Sequence, residues 1–392
     1  MRDLEGGELE PIVDAGDFPA SRKSAYLNTS SVCLMYRGAE ASTTDWFKDL
    51  TENGTLTFDE AAEESVFEGL HVAAARLFNA RPDDISVGSS ATELLASLAW
   101  AVAPGPEANV VGTEITFPST IYPWARVARS TGFEVRLAEA SNGYVSPDDL
   151  IRLIDSNTAV VCISDVEYST GQLYDVADLA EAAHKHGALL VVDASQSAGA
   201  VPIDVAASGV DALVAASYKW LCGPFGVAVL YLAPHLQGKL DPGLVGFRSH
   251  REMWNLKADR VEYAETARRF EFSTMAYGCA LGLTTAIEYL LGIGIDRIFE
   301  RNRRLADLLI EGLRERNAEV VSPQDENERT SIVAARFPGA DPKEIARHLG
   351  SRKVVVSARR DVLRFSPHFY NEPDDIERAL DEVDRFFGSK AD

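Results

Sequence analysis

Residues 188–205 read ALLVVDASQSAGAVPIDV, in which five apolar residues directly precede Asp193. A run of that length, bounded by small and turn-forming residues, predicts a strand buried on both faces with a carboxylate at its carboxyl end. Ligands of open α/β sheets bind at that edge. An ionised carboxylate there needs a cationic or donor partner to offset its desolvation. The same position also suits a helix N-cap, so Asp193 by itself leaves both readings open.

Outward from this stretch the pattern repeats. NVVGTEI (109–115), FEVRLAEA (133–140), AVVCIS (159–164), ALVAAS (212–217) and VAVLYL (227–232) are apolar runs of strand length. Helical patterns separate them near residues 123–131, from Ser146 and from Asp175. Such alternation predicts βαβ units and a mainly parallel sheet with helices on its faces, an α/β fold. Residues 278–316 form a long amphipathic helical stretch broken at Gly292 and Gly294. Then come SIVAARF (331–337), a helix from Asp341, VVVSAR (354–359), LRFS (363–366) and a closing helix from Glu372. This predicts a smaller α+β unit, and the expected organisation is an N-terminal arm (1–20), a large domain (21–289) and a small C-terminal domain (290–392).

The strand DALVAAS (211–217) runs into Lys219, so a lone ammonium is expected at the same sheet edge as Asp193. Lysine loses its proton readily when desolvated, which a nucleophilic amine requires. A lysine reaching out to solvent from a strand end is the ordinary alternative. The conjunction with Asp193 favours chemistry, because an aldehyde cofactor with a pyridine nitrogen needs both groups. A third requirement is a phosphate site. VGSSATELL (87–95) places Ser89, Ser90 and Thr92 just before and within the first turn of a helix, where hydroxyls and free N–H groups suit an anion, or simply cap the helix.

Bulk properties narrow the partners. With 392 residues and 46% hydrophobic content the chain can bury a large core, and its net charge of −22 repels phosphate backbones and anionic lipid. Nucleic acid and membrane surfaces are therefore not expected partners. Cys33, Cys162, Cys222 and Cys279 are widely separated, without a C-x-x-C pair or a neighbouring His at ligand spacing. His184 and His186, two apart on a predicted helix, point to different faces, and no metal site is expected. The acidic N-terminus lacks the pattern of a secretory signal, and no apolar run approaches the roughly 20 residues that span a bilayer. The expectation is a cytoplasmic protein with reduced thiols.

Taken together, SSATELL (89–95), EITFPSTIYPW (114–124), DVEYSTGQLYDV (165–176), VVDASQS (191–197), SYKWLCGPFG (217–226), RRFEFST (268–274) and LRFSPHFYN (363–371) resemble, in order and spacing, the class V aminotransferase family of fold type I pyridoxal 5'-phosphate (PLP) enzymes. That family includes cysteine desulfurases, isopenicillin N epimerase-like proteins and lyases of natural-product pathways. The resemblance spans about residues 25 to 385 and implies a seven-stranded, mainly parallel sheet in the large domain. It implies that Lys219 forms the Schiff base, that Asp193 pairs with the pyridine nitrogen and that Gln196 meets the phenolic oxygen. Ser217 and Tyr218 fall at phosphate-contacting positions, with Ser90, Ala91 and Thr92 opposite them. Thr274 resembles a threonine that reaches the phosphate from a partner subunit, which implies a homodimer with a shared active site.

The resemblance also implies that Arg364 grips a substrate carboxylate, with Arg359 assisting and Asn28 lining the pocket. Phe117 stands where desulfurases carry a histidine on the ring, and Tyr168 where they carry an asparagine near the cofactor oxygen. An aromatic face stacks as well but moves no proton. Residues 348–366, HLGSRKVVVSARRDVLRFS, lack the cysteine that desulfurases use. The expected function is thus a PLP enzyme acting on a small amino acid or amino-acid conjugate, foremost an aminotransferase. A carbon–sulfur β-lyase, an epimerase or a decarboxylating enzyme is the alternative. A PLP-fold binding or regulatory protein is the non-enzymatic one.

Overall fold

A computed structural model of the chain describes residues 9–391. The first eight residues of the expected N-terminal arm lie outside the described residues.

Seven strands form the main sheet: β1 (Ile85–Gly88), β2 (Asn109–Thr113), β3 (Glu134–Ala138), β4 (Thr158–Ser164), β5 (Leu189–Asp193), β6 (Ala212–Ala216) and β7 (Ala228–Leu232). Their order is β1-β7-β6-β5-β4-β2-β3, and only β7 runs against its neighbours. The apolar runs of the sequence are these strands. β2, β6 and β7 are buried along their whole length, as both-face coverage by helices demands, whereas β3 at one edge is largely uncovered.

Helix α1 (Arg37–Asn53) packs on α6 (Tyr277–Ile293), and α2 (Glu68–Phe78), α3 (Ala91–Val102), α4 (Pro118–Thr131) and α5 (Val176–His184) cover the sheet together with α6. Several starts are written in the sequence: Ser90 caps α3 by accepting from the Glu93 N–H, and Asp175 caps α5 at Ala177 and Asp178. The predicted long helix is two helices. α7 (Ile295–Glu315) leaves α6 with a 78° bend at Gly294, whose φ of +95° lies in the region that glycine alone adopts freely. Among the described residues no single helix is long and apolar enough to cross a membrane.

A second sheet is antiparallel. It is built from β8 (Glu319–Val320), β9 (Val333–Arg336), β10 (Ser357–Arg359) and β11 (Val362–Phe365), in the order β10-β11-β9-β8. α7, α8 (Pro342–Ser351) and α9 (Pro373–Ala391) supply its core. The N-terminal segment joins this unit. Ala25 and Tyr26 pair in parallel with Val354 and Val355, Asn28 bridges to Ser366, and Leu9, Ala25 and Leu27 enter the same apolar cluster. The register sets Ser357 opposite Arg364, so Arg359 and Arg364 lie on adjacent strands of one hairpin.

Candidate active site

The parallel register of β4, β5 and β6 brings Ser164, Asp193 and Val214 abreast, so both the Asp193 carboxylate and the segment carrying Lys219 emerge at one end of the sheet. Asp193 Oδ1 accepts from the Ser195 N–H at 3.0 Å, and Oδ2 accepts from the Thr120 hydroxyl at 3.1 Å. Gly199 (φ +92°) lets the loop after β5 close on the lysine segment, since a Cβ there would stand 2.5 Å from the Trp220 carbonyl. That approach fixes Gln196, whose Oε1 accepts from the Trp220 indole at 2.8 Å and whose Nε2 donates to the Ser30 carbonyl at 3.0 Å.

Lys219 is buried, and its Nζ forms no hydrogen bond or ion pair among the described residues. It lies 5.4 Å from the ring centre of Phe117 and 5.9 Å from that of Tyr218. Burial lowers its pKa to about 8. Asp193 pulls the value up, and Arg364 and Arg359 push it further down. Phe117 meets Tyr168 edge to face at 5.4 Å.

Arg364 is 1% exposed. Its Nη1 donates to the Tyr168 carbonyl at 2.6 Å and its Nη2 to the Ser31 hydroxyl at 2.5 Å, while its buried Nε has no partner. Arg359 Nη2 donates to the same Ser31 hydroxyl at 2.8 Å, and Ser31 in turn donates to Asn28 Oδ1 at 2.8 Å. Neither arginine has a carboxylate partner among the described residues. Burial, then Arg359, lowers the Arg364 pKa to about 9, which still leaves the group charged at neutral pH.

The structure thus brings Lys219, Asp193, Gln196, Phe117, Tyr168, Arg364, Arg359 and Asn28 to one place. Ser90 and Ala91 open α3 beside α4, and the Thr92 hydroxyl donates to Ser119 at 2.9 Å, next to Thr120. Three hydroxyls expected to face an anion are otherwise engaged: Ser90 caps Glu93, Ser89 bonds the Glu93 side chain, and Ser217 donates to the Pro224 carbonyl. Tyr218 stacks on Phe225 at 4.4 Å. Thr274 is exposed and stays outside the cluster within this chain. The helix predicted to carry both histidines, α5, ends at His184, whose Nε2 lies 2.8 Å from Asp211 Oδ2, so His186 lies beyond it.

Sequence reasoning missed Ser31, the hydroxyl shared by both arginines, as well as Thr120 and Trp220. Only the pairing of residues 25–28 with the C-terminal hairpin brings Ser31 to Arg364, and nothing local in AYLNTSS signals it. Thr120 and Trp220 lie within the quoted motifs, so their positions were legible although their contacts were not.

Comparison with known proteins gives the family. The family model for aminotransferase class V matches residues 42–378. An uncharacterized aminotransferase of Bacillus subtilis, YcbU, is 28% identical over 93% of this chain and 95% of its own length. Isopenicillin N epimerase of Amycolatopsis lactamdurans is 31% identical over 79% of this chain and 82% of its own. The solved apo structure of cysteine desulfurase from Thermococcus onnurineus superposes with a TM-score of 0.86 at 23% identity, covering 98% of both chains. The chain belongs to the class V aminotransferase family. It is therefore a PLP-dependent enzyme, as its motifs anticipated.

Proposed function

We propose that this chain is an aminotransferase for a small α-amino acid, with Lys219 as the residue that holds PLP and moves the proton. The carrying observation is the Lys219 amine. It is buried, without a hydrogen bond or ion pair among the described residues, and depressed to a pKa of about 8 within the fields of one carboxylate and two guanidiniums. An ammonium so placed is costly to keep, whereas a covalently engaged amine is not. The residues present therefore fit the cofactor. When bound, PLP supplies an aldehyde carbon for amines and a ring that draws electrons from bonds at the α-carbon.

In this reading Asp193, held by Thr120 and Ser195, would pair with the ring nitrogen, and Gln196 would donate to the phenolic oxygen. Phe117 and Tyr168, which meet edge to face beside Lys219, would line the space for the ring. The start of α3 (Ser90, Ala91, Thr92), with Ser217 and Tyr218, would hold the phosphate, and Thr274 would reach it from a second copy in a homodimer. Arg364 takes the substrate carboxylate through its Nε and Nη edge, and Arg359, Ser31 and Asn28 keep that edge in place. With PLP bound, the Lys219 amine freed by the substrate would be the group that takes the α-carbon proton and holds it for return.

Transamination is preferred over β-elimination on the likeness to the aminotransferase YcbU. Phe117 adds no acid of its own beside Lys219, which leaves Lys219 as the proton carrier for either course. A cysteine-based desulfurase is disfavoured because residues 348–366 lack cysteine. Cys33, Cys162 and Cys222 are buried, and burial raises the pKa of the half-buried Cys279 thiol. The test is an absorption titration with L-amino acids and cysteine S-conjugates, with product analysis. Loss of the yellow band, its recovery with a keto acid and stoichiometric keto acid release are expected. Persistent colour with pyruvate and thiol release would instead make the enzyme a β-lyase.

A further inference from the structure

Two thiols meet in the core beside the turn that carries Lys219, and the chemistry above gives neither a role. The Cys33 and Cys222 sulfurs lie 3.3 Å apart, although 189 positions separate them along the chain. Backbone bonds hold the two segments together: the Cys33 N–H donates to the Tyr218 carbonyl at 2.9 Å, and the Tyr36 N–H to the Cys222 carbonyl at 3.0 Å. Cys222 has φ at +53°, in the left-handed region that favours glycine, so the chain keeps a sulfur where the backbone disfavours any side chain. Cys33 retains 7% exposure and Cys222 none. A His368 ring nitrogen lies within 4.8 Å of both sulfurs. Both nitrogens of that ring are engaged, however, Nδ1 with Asn302 at 3.1 Å and Nε2 with the Trp220 carbonyl at 3.2 Å. A cation would find no free third ligand there, and the sulfurs are left to each other.

We propose that Cys33 and Cys222 are a reversible oxidation site, closed to a disulfide by a small peroxide and reopened by a dithiol, and that closure loosens the grip on substrate. Hydrogen peroxide is close to water in size and enters on the Cys33 side. The Cys33 sulfur attacks one peroxide oxygen and the O–O bond breaks, which gives Cys33 sulfenic acid and one water. The Cys222 sulfur then attacks the Cys33 sulfur, the S–O bond breaks, and the hydroxyl leaves as a second water with the Cys222 proton. Two thiols have lost two electrons and one peroxide has become two waters. Burial, then the facing Cys33, raises the Cys222 pKa, so the first attack falls to the less enclosed sulfur and is slow. The second is fast, because contact already holds the partners together. A disulfide is about 2.05 Å long, so closure draws the sulfurs together by about 1.2 Å. Ser31, two positions before Cys33, holds Arg364 and Arg359. On the reading of Arg364 given above, on which this last step rests, the shift takes the Ser31 hydroxyl off the guanidiniums and raises KM for the amino acid.

The test uses the PLP-loaded enzyme carrying Cys279→Ser, which removes the half-buried thiol and leaves the pair intact. The protein is treated with hydrogen peroxide, alkylated with N-ethylmaleimide under denaturing conditions, digested and weighed. The expected product is the peptide holding Cys33 joined to the peptide holding Cys222, lighter than the two thiol peptides by two hydrogens, with Cys162 alkylated. KM for the amino acid should rise about threefold or more with kcat little changed, and dithiothreitol should reverse both the cross-link and the rise. Cys33→Ser should show neither effect, and Cys222→Ala serves as the same control if Cys33→Ser fails to fold. Full alkylation of Cys33 and Cys222 after peroxide, or a KM rise that persists in these variants, would each overturn the proposal. A cross-link without a change in KM would overturn the coupling to Arg364. The mass readout needs no turnover, so it stands apart from the assignment of the reaction.

Discussion

The Ser31 hydroxyl accepts from Arg364 at 2.5 Å and from Arg359 at 2.8 Å, which makes one small side chain the common support of two guanidiniums. Like charges drawn this close repel, and a shared acceptor that also donates to Asn28 offsets part of that cost. Ser31→Ala should therefore let the arginines splay. The expected result is a rise in KM for the amino acid of about five- to tenfold, the equivalent of one ordinary hydrogen bond, with kcat and the cofactor spectrum little changed. Ser31→Thr retains the hydroxyl and should restore most of the loss. An unchanged KM in Ser31→Ala would refute the supporting role.

Arg364→Ala should be far more severe. Charge-assisted bonds to a carboxylate contribute about 1.5–3 kcal/mol, so kcat/KM should fall by roughly 10- to 150-fold or more while PLP remains bound. Arg364→Lys should recover little, because a point charge cannot reproduce the planar edge. Steady-state kinetics on a series of carboxylate and decarboxylated amines checks this, and the amines without carboxylate should not sense the substitution.

Lys219 sets a pH signature. Its folded pKa of about 8 lies below the ordinary lysine value of 10.5, so the folded protein binds fewer protons than the unfolded chain between those limits. In the cofactor-free protein the burial of a charged Lys219 thus costs stability in full below about pH 8, and the cost fades as pH rises toward 10.5. The rate at which cofactor-free protein captures PLP covalently should rise about tenfold per pH unit below 8 and level off above it. Borohydride should fix the cofactor to wild type, and Lys219→Ala should show no fixed adduct. An adduct surviving in that variant would remove Lys219 from its proposed role.

Gly199 offers a stability test of how the loop after β5 is built. With φ at +92° and the Trp220 carbonyl 2.5 Å from the position of a Cβ, Gly199→Ala should cost about 1–3 kcal/mol of strain. Because the same loop carries Gln196, denaturant unfolding should show the loss together with weaker PLP binding. A neutral outcome would mean that the loop is free to move.

Thr274 tests the shared site. Thr274→Ala should weaken PLP affinity severalfold, and mixing it with Lys219→Ala should regenerate activity through hybrid dimers in which one of two sites is intact. A fully active monomer in sedimentation, or no recovery on mixing, would place Thr274 outside the site.

Much of this molecule could be read along the chain. The strand β5 and its terminal Asp193, the strand β6 running into Lys219, and the caps Ser90 and Asp175 are local matters. Apolar runs, small residues and cap residues act within a few positions of one another, and parallel βαβ connections then force Asp193 and Lys219 to the same edge of the sheet. The motif order identified the family for the same reason. What the chain alone left open depends on distant pairings. The break of the long helix at Gly294 resolved only as a bend, and residues 25–28 paired with a hairpin more than three hundred positions away to deliver Ser31 to Arg359 and Arg364. Burial decided the rest. The same lysine is an ordinary cation in water and a depressed amine of pKa about 8 here, because packing removes its solvent and sets two guanidiniums near it.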